Sequence, residues 1–451
     1  MPNYTHSQLS DAIAALATRL HDATNQFWPS AELKSYIIEA LRNWNALTST
    51  HRDEMTFPLV QGQSWYDLTA QPGTLRPYTV LDNDLITQIQ YHILEPITPA
   101  YPLVWSGSLQ FTLTDILGAL ERRSNETLAL SGCTITRTLV PAPLATYVLL
   151  PDTTAIIRRV VWVPNPGLGY TAKILRQSDP IAKRSFDYHY RTAASSPPVN
   201  WTQNTEPPPA FDVDRTPPVL GQYEVLSINS QPSPSTTSSS TLTIPDDWTW
   251  VAKWGALMDL LSREANSKDP LRAKYCEQRY VEGIGLLSRS SSVLSVLLNS
   301  SPLSVDAVRN GDDFNPLWQT ELPYQSVPSS VYTTGLNLVG FGRAPDANPY
   351  TAIILVVQNA TVPAVDADYI QISRDDYSTL LDYAHHLAMF KVGGQEFVDT
   401  VPLYQKFLIR AGLYNAKLSA MGFFQKQLEE LSQMESIREP AYSSDSDSGG
   451  A

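Results

Sequence analysis

The chain has 451 residues, of which 43% are hydrophobic and 17% charged, with 34 prolines, 2 cysteines and a formal net charge of −13. This length and apolar content suffice for about two to four domains with real cores, which excludes an intrinsically disordered protein. The acidic balance argues against sequence-specific binding to a nucleic-acid backbone, and two distant cysteines exclude a disulfide scaffold or a four-thiolate zinc site.

Residues 1–132 predict a helical N-terminal region of about four helices. A break at Trp28–Pro29 separates the first two helices, which we expect to form an antiparallel hairpin. Two more helices are predicted over Asp84–Leu94 and Thr112–Leu130, and the last should end near Gly132. The apolar stripe of the first helix consists of Leu9, Ile13, Leu16 and Leu20.

Residues 133–243 predict a β-rich, proline-rich domain, because β-branched residues and prolines replace the helical periodicity. Ile156–Val163 is the clearest strand and Tyr223–Ile228 is a second. Ser233–Thr243 has the composition of a Ser/Thr linker or of an exposed hairpin tip.

The remaining sequence alternates between helix and strand a second time. We predict a helical hairpin over 244–300, a second β-rich segment over 301–371 and a second helical hairpin over 372–438. Residues 439–451 predict a disordered acidic tail. The predicted fold class is therefore α+β, with a helical N-terminal region and two β-rich segments that are each followed by a helical hairpin.

An internal repeat links the two hairpins. The triplet Asp246, Asp247 and Trp248 recurs 129 residues later, and the apolar positions that follow correspond at the same offset. We interpret these triplets as structural: one Asp caps the helix, the other favours its positive end, and the aromatic ring packs on the next turn. The second triplet is Asp375, Asp376 and Tyr377.

The sequence has no recognisable catalytic constellation, and we predict a protein that is not an enzyme and has no cofactor or metal. It lacks a phosphate loop, a nucleophile elbow and a zinc-protease motif. The adjacent His385 and His386 would point to different faces of a helix. A carboxylate-based hydrolase that uses Asp312 or Asp313 is a less favoured alternative.

Aromatic residues are numerous, with 10 Trp, 22 Tyr and 12 Phe. Because Trp and Tyr supply much of the anchoring energy at protein interfaces, the tryptophans outside regular periodic segments are candidate interface residues. A receptor- or glycan-binding module that uses Trp201 or Trp318 is another alternative. The candidate interface residues are Trp28, Trp44, Trp65, Trp162, Trp201 and Trp318.

Several segments resemble structural proteins of tailed bacteriophages. The run Leu149–Asp152 followed by Ile157–Trp162 fits that class, as does the N-terminal helical pair followed by Trp65–Leu68. The chain resembles head–tail connector proteins, the adaptors of the phage neck. The similarity covers about residues 7–290, whereas small adaptors have no counterpart of the second half, 302–430.

The resemblance implies a virion structural protein that forms a ring, joins the portal and head to the tail, and lets DNA pass. The implied partners are further copies of the chain in about 12-fold cyclic symmetry, the portal and other neck or tail proteins. An acidic channel would let double-stranded DNA pass without binding it. We expect no membrane association, and the first residues predict no secretory signal, so assembly into the virion would occur in the host cytoplasm. A tail or baseplate protein is the main alternative.

Overall fold

A computed structural model describes residues 7–70, 82–94, 111–165, 167–179, 195–204, 206–230, 242–263, 269–314 and 326–415. Helices and strands are both abundant, so the predicted α+β class is confirmed. Most of the Ser/Thr linker, the acidic tail at 439–451 and Trp318 lie outside the described residues.

The helices are α1 (Leu9–Arg19), α2 (Ser30–Thr48), α3 (Asp82–Ile93), α4 (Leu113–Ser131), α5 (Thr249–Leu261), α6 (Pro270–Leu287), α7 (Val308–Phe314), α8 (Tyr377–Val392), α9 (Gly394–Val398) and α10 (Val401–Tyr414). The strands are β1 (Arg52–Pro58), β2 (Trp65–Asp67), β3 (Thr136–Ala142), β4 (Tyr147–Leu149), β5 (Thr154–Pro164), β6 (Lys173–Gln177), β7 (Asn200–Asn204), β8 (Ala210–Val213), β9 (Gly221–Asn229), β10 (Val293–Leu298), β11 (Ser301–Ala307), β12 (Ser330–Thr334), β13 (Leu338–Gly342) and β14 (Thr351–Val357).

The chain divides into two compact units that are not contiguous in sequence. One unit, called the helical unit here, contains residues 1–50, 90–97 and 360–451. The other, called the sheet unit, contains residues 51–89 and 98–359. The six segments predicted from the sequence are therefore distributed between two units.

The helical unit is built on α2, α8 and α10, which pack against one another. Aromatic side chains fill the space between them. The Tyr383 ring on α8 stacks on the Phe407 ring of α10 at a centroid distance of 4.3 Å. Trp44 of α2 makes an edge contact with the same Phe407 at 5.5 Å. Such contacts add to the burial energy that holds amphipathic helices together.

The sheet unit contains two sheets of seven strands. Sheet A has the order β1-β14-β10-β11-β12-β13-β2, and sheet B has the order β3-β9-β5-β6-β7-β8-β4. Among the strands that the structure describes, the β11–β12 pair of sheet A and the β6–β7 pair of sheet B are parallel, and the other pairs are antiparallel. If the seven strands of each sheet are numbered in chain order, the two sheets have the same strand order.

The registers of the two sheets also agree. In sheet B, Val140 on β3 pairs with Tyr223 on β9. In sheet A, Phe57 on β1 pairs with Ala352 on β14. Val140 lies 83 positions after Phe57, and Ala352 lies 129 positions after Tyr223. The same two offsets relate the other residue pairs of these strands. Sheet B is thus a second copy of sheet A, inserted between β2 and β10.

The cores of the two sheets are filled from corresponding positions. Phe211 and Val213 on β8 of sheet B correspond to Val339 and Phe341 on β13 of sheet A, so the large and small side chains exchange places. The two changes compensate in volume, which is what close packing requires of related cores.

The hairpins repeat as well, as the sequence predicted. Trp254 of α5 contacts Tyr275 of α6 at 5.5 Å between ring centroids. The residues 129 positions further on, Tyr383 and Tyr404, lie 5.4 Å apart. In the sheet unit α4 packs against this hairpin, and its Arg123 pairs with a carboxylate of α5. Each copy therefore has three packed helices in addition to its strands.

Two segments differ from the sequence prediction. The region up to residue 132 contains β1 and β2 besides its helices, and the range 244–300 contains β10. The strand partner of β1 is β14, about 300 residues further along the chain. Such a non-local pairing leaves no helical or turn signal near β1, and tertiary contacts decide its conformation.

Candidate assembly surface

The aspartates at the start of α8 act differently from the prediction. Asp376 occupies the N-cap position, but its side chain forms no capping hydrogen bond. Its carboxylate instead accepts hydrogen bonds from Arg410 Nε at 2.6 Å and from the Tyr414 hydroxyl at 2.7 Å. A buried carboxylate takes the charged donor within reach, so this aspartate ties the start of α8 to the end of α10. Its neighbour Asp375 lies exposed in the turn before Tyr377.

The first triplet forms a single 3-10 turn before α5. Asp246, Asp247 and Trp248 make up this turn, and Trp248 is the N-cap residue of α5, without a side-chain cap. The Trp248 ring stacks on that of Trp250 at a centroid distance of 6.1 Å. In both copies the triplet thus shapes the start of a hairpin. The prediction that an aspartate side chain caps the helix is wrong, because neither N-cap residue, Trp248 or Asp376, forms a side-chain capping hydrogen bond.

The predicted interface tryptophans that the structure describes lie inside the fold. Trp28, Trp44, Trp65, Trp162 and Trp201 are all buried within the single chain. The indole of Trp28 donates to the Ala388 carbonyl at 3.3 Å. Because a buried ring is already in contact with its own chain, the surface for a partner has to be sought among exposed side chains.

Trp65 has a special position among these tryptophans, because it connects the two sheets. It lies on β2 of sheet A, and its Nε1 donates to Oε1 of Glu224 on β9 of sheet B at 3.0 Å. Glu224 is buried and also accepts from Arg137 Nε at 2.8 Å, while Arg159 lies 3.6 Å away. The indole therefore ends on a charged network in the second sheet.

The β12–β13 hairpin makes the second connection between the sheets. The side-chain amide of Asn337 accepts from the backbone N–H of Ile135 and donates to its carbonyl, both at 2.9 Å. The backbone N–H of Leu336 donates to the Cys133 carbonyl at 2.7 Å. Gly335 has φ +60°, and a Cβ there would lie 3.0 Å from the same carbonyl oxygen. We call these contacts, together with the Trp65–Glu224 bond, the joint.

The acidic and histidine candidates also have structural partners. Both carboxylate oxygens of Asp312 accept from Arg159, at 2.7 and 2.9 Å. The buried His386 Nδ1 lies 2.8 Å from the Thr400 hydroxyl. A further loop carboxylate, Asp368, accepts hydrogen bonds from the backbone N–H groups of Ala364 and Val365, which lowers its pKa. Among the residues that the structure describes, no group of three or more His, Cys, Asp or Glu side chains could hold a metal ion.

One exposed apolar surface corresponds in position to the joint. On β4 of sheet B, Tyr147 and Leu149 take the places that Trp65 and Asp67 hold on β2 of sheet A. Their side chains are 38% and 57% exposed, whereas Trp65 is 2% exposed. The β7–β8 connection next to them contributes the exposed Pro207 and Pro208. We call Tyr147, Leu149, Pro207 and Pro208 the B tip.

The B tip was not predicted from the sequence. A signal was present in Tyr147-Val148-Leu149, because a short strand with one solvated face should carry polar residues on that face. Two large apolar residues on either side of a buried valine are unusual there, and exposed apolar patches mark interaction sites.

Comparisons with models of protein families and with curated proteins find no match. Over the stretches of chain that the structure covers, none of the helices combines the length and the apolar character that crossing a bilayer requires.

Proposed function

We propose that this protein is a virion structural protein of a tailed bacteriophage, which forms a ring in the neck and joins the portal to the tail. The observation that carries the proposal is the nested duplication: two sheets of the same topology and register, fixed to each other in series by the joint. The resemblance of the sequence to head–tail connector proteins supplies the class.

The duplication suits a wall that is built from repeated modules. In the joint, different surfaces of the two sheets meet: β2 of sheet A contacts β9 of sheet B, and the β12–β13 hairpin contacts Cys133 and Ile135, just before β3. A contact between unlike surfaces is heterologous, and heterologous contacts close into rings when the rotation between neighbours allows it.

The charge of the chain suits a passage for DNA. A net charge of −13 offers few cations to the phosphate backbone, and affinity for DNA scales with the number of phosphates that are neutralised. The basic side chains beside the joint, Arg137 and Arg159, are paired with the Glu224 and Asp312 carboxylates. Double-stranded DNA would therefore slide through such a ring without being held.

Electron microscopy of the purified chain, alone and mixed with the portal protein of the same phage, tests this proposal. We expect rings with a central channel, which dock on the portal, and a gold-labelled antibody should mark the neck of intact virions. Label at the distal end of the tail would support the baseplate alternative. Absence of rings in both preparations, or of label on virions, would contradict the proposal.

A further inference from the structure

We infer that the B tip of one copy docks on the outer face of sheet A of the next copy, and so repeats between chains the contact that the joint makes within one chain. This inference rests on the proposed self-assembly and names its surfaces. The outer face of sheet A, called the A face, consists of Leu297 on β10, Ile353 and Leu355 on β14, and Arg52 on β1.

The joint lies on the outer face of sheet B. Trp65 of sheet A reaches Glu224 of sheet B, and Glu224 is 3% exposed. The neighbours of Glu224 on the same face, Val161 and Leu226, are also buried. The outer face of sheet B is thus already occupied within the chain.

The equivalent face of sheet A is still partly open. With the offset of 129 residues between β9 and β14, Glu224 and Leu226 correspond to Ile353 and Leu355, which are both partly exposed. Leu297, which pairs directly with Ile353, is partly exposed as well. These three side chains lie opposite to the sheet's core, because the residues that alternate with them on β14, Ala352 and Ile354, belong to the buried cluster.

The surface that would fill this face is also still open. On sheet B the B tip lies at the positions that β2 and the β12–β13 hairpin, which form the joint, hold on sheet A. Its four residues are exposed and uncharged. The B tip and the A face are therefore the two surfaces at which a series of joints would continue into neighbouring chains. The B tip and the Leu297, Ile353 and Leu355 side chains of the A face are apolar, and their burial would be favourable by the hydrophobic effect.

Glu206 is the charge beside the B tip, whereas the outer side of β1 carries both Arg52 and Glu54, at the positions of Ile135 and Arg137 in sheet B. Glu206 is exposed on the β7–β8 connection, next to the B tip. Arg52 is exposed on β1 and occupies the position of Ile135, the residue that receives Asn337 in the joint. A repeat of the joint between copies would bring Glu206 towards Arg52, and opposite charges at the rim of an interface favour that orientation. The three prolines at 207–209 cannot donate backbone N–H groups, so the contact between chains would rely on apolar burial instead of the hydrogen bonds made by Leu336 and Asn337.

Two variants that each block one surface test the inference. Leu149→Asp damages the B tip and leaves the A face intact, whereas Ile353→Asp does the reverse. Each variant alone should raise the concentration for half-assembly by about 30-fold or more, the effect of losing a central interface residue. An equimolar mixture should stop at dimers of one copy of each variant, because only one pair of intact surfaces remains; native mass spectrometry with one variant isotope-labelled measures this.

Val281→Asp, at a residue that is 63% exposed on α6, is the matched control and should assemble like the unmodified chain. Circular dichroism verifies that all three variants are folded. A second pair of changes, Glu206→Arg with Arg52→Glu in one chain, should recover assembly that either change alone weakens. If the unmodified chain assembles and both blocking variants assemble equally well, the inference is wrong while the proposed function stands. If the unmodified chain forms no assembly alone or with the portal, the proposed function itself fails.

Discussion

Lys391 and Glu32 form an ion pair in the interior of the helical unit, with Lys391 Nζ 2.9 Å from Glu32 Oε2. Glu32 is fully buried, and its other carboxylate oxygen accepts from the Tyr36 hydroxyl at 2.6 Å. The ammonium group also donates to the Phe27 carbonyl at 2.9 Å. The pair thus links α2 to α8, which are more than 300 residues apart in sequence.

Removal of one partner of this pair should be far more harmful than removal of both charges. Lys391→Met leaves Glu32 as an unpaired buried charge, and we expect a loss of about 3–5 kcal/mol in the free energy of unfolding. The double variant Glu32→Gln with Lys391→Met keeps an acceptor for Tyr36 and should regain most of that loss. Urea denaturation of the three proteins measures the difference, and equal stability of the single and double variants would contradict this role of the pair.

The same carboxyl group predicts a dependence of stability on pH. Burial raises the pKa of Glu32 above its ordinary value of 4.5, and the hydrogen bonds from Tyr36 and Lys391 offset only part of this. The folded state then binds the proton more tightly than the unfolded state does. The contribution to stability is fully present below pH 4.5 and is lost as the pH rises through the folded pKa. The Glu32→Gln variant should therefore show a flatter stability curve above pH 4.5, and parallel curves would show that the pKa is not raised.

The start of α4 gives a prediction of opposite sign. Asp115 and Thr112 form a reciprocal capping box, and hydrogen bonds from Thr112 and Arg263 lower the pKa of Asp115 to about 2. The stability that Asp115 contributes is present above pH 3.8 and is lost as the pH falls through about 2. Thr112→Ala should cost about 0.5–2 kcal/mol at pH 7. Thr112→Ser keeps the hydroxyl and serves as the control in thermal unfolding; if it is destabilised as much as Thr112→Ala, the hydroxyl is not responsible.

Features with a local signal could be predicted from the sequence. Ile156–Val163, recognised by its β-branched residues, lies within β5, and Gly132 ends α4 in a left-handed conformation, as expected of a helix C-terminus. The repeated hairpins were visible because the apolar positions that follow the two triplets match at one constant offset.

Features that depend on distant contacts could not be predicted in this way. The insertion of sheet B between β2 and β10 separates β1 from β14, so no constant offset covers the whole duplication. Trp65 and Tyr147 occupy equivalent positions, and both are aromatic residues in short strands. The buried ring contacts Glu224 of the other sheet, and this contact arises from tertiary structure.

The joint should be sensitive to a single methyl group at Gly335. Gly335→Ala adds a Cβ that would lie 3.0 Å from both the Cys133 carbonyl oxygen and the Ile135 side chain. Gly169→Ala is a matched control, because Gly169 also has a positive φ, +76°, but no atom within 4 Å of the added Cβ. The control should lose about 1–2 kcal/mol from backbone strain alone, and Gly335→Ala should lose measurably more. Equal losses in chemical denaturation would show that the hairpin yields without cost.

The equivalence of the two sheets can be tested by giving sheet B the core arrangement of sheet A. Phe211→Val alone leaves a cavity and Val213→Phe alone overfills the core, so each should destabilise the protein by about 1–3 kcal/mol. The double variant reproduces the Val339 and Phe341 pattern of β13 and conserves the total volume. Its loss should be smaller than the sum of the single losses by about 0.5–3 kcal/mol, the size of coupling between residues in contact. A double-mutant cycle in urea measures this coupling. Additive losses would mean that sheet B cannot accommodate the packing of its counterpart, although the two sheets share topology and register.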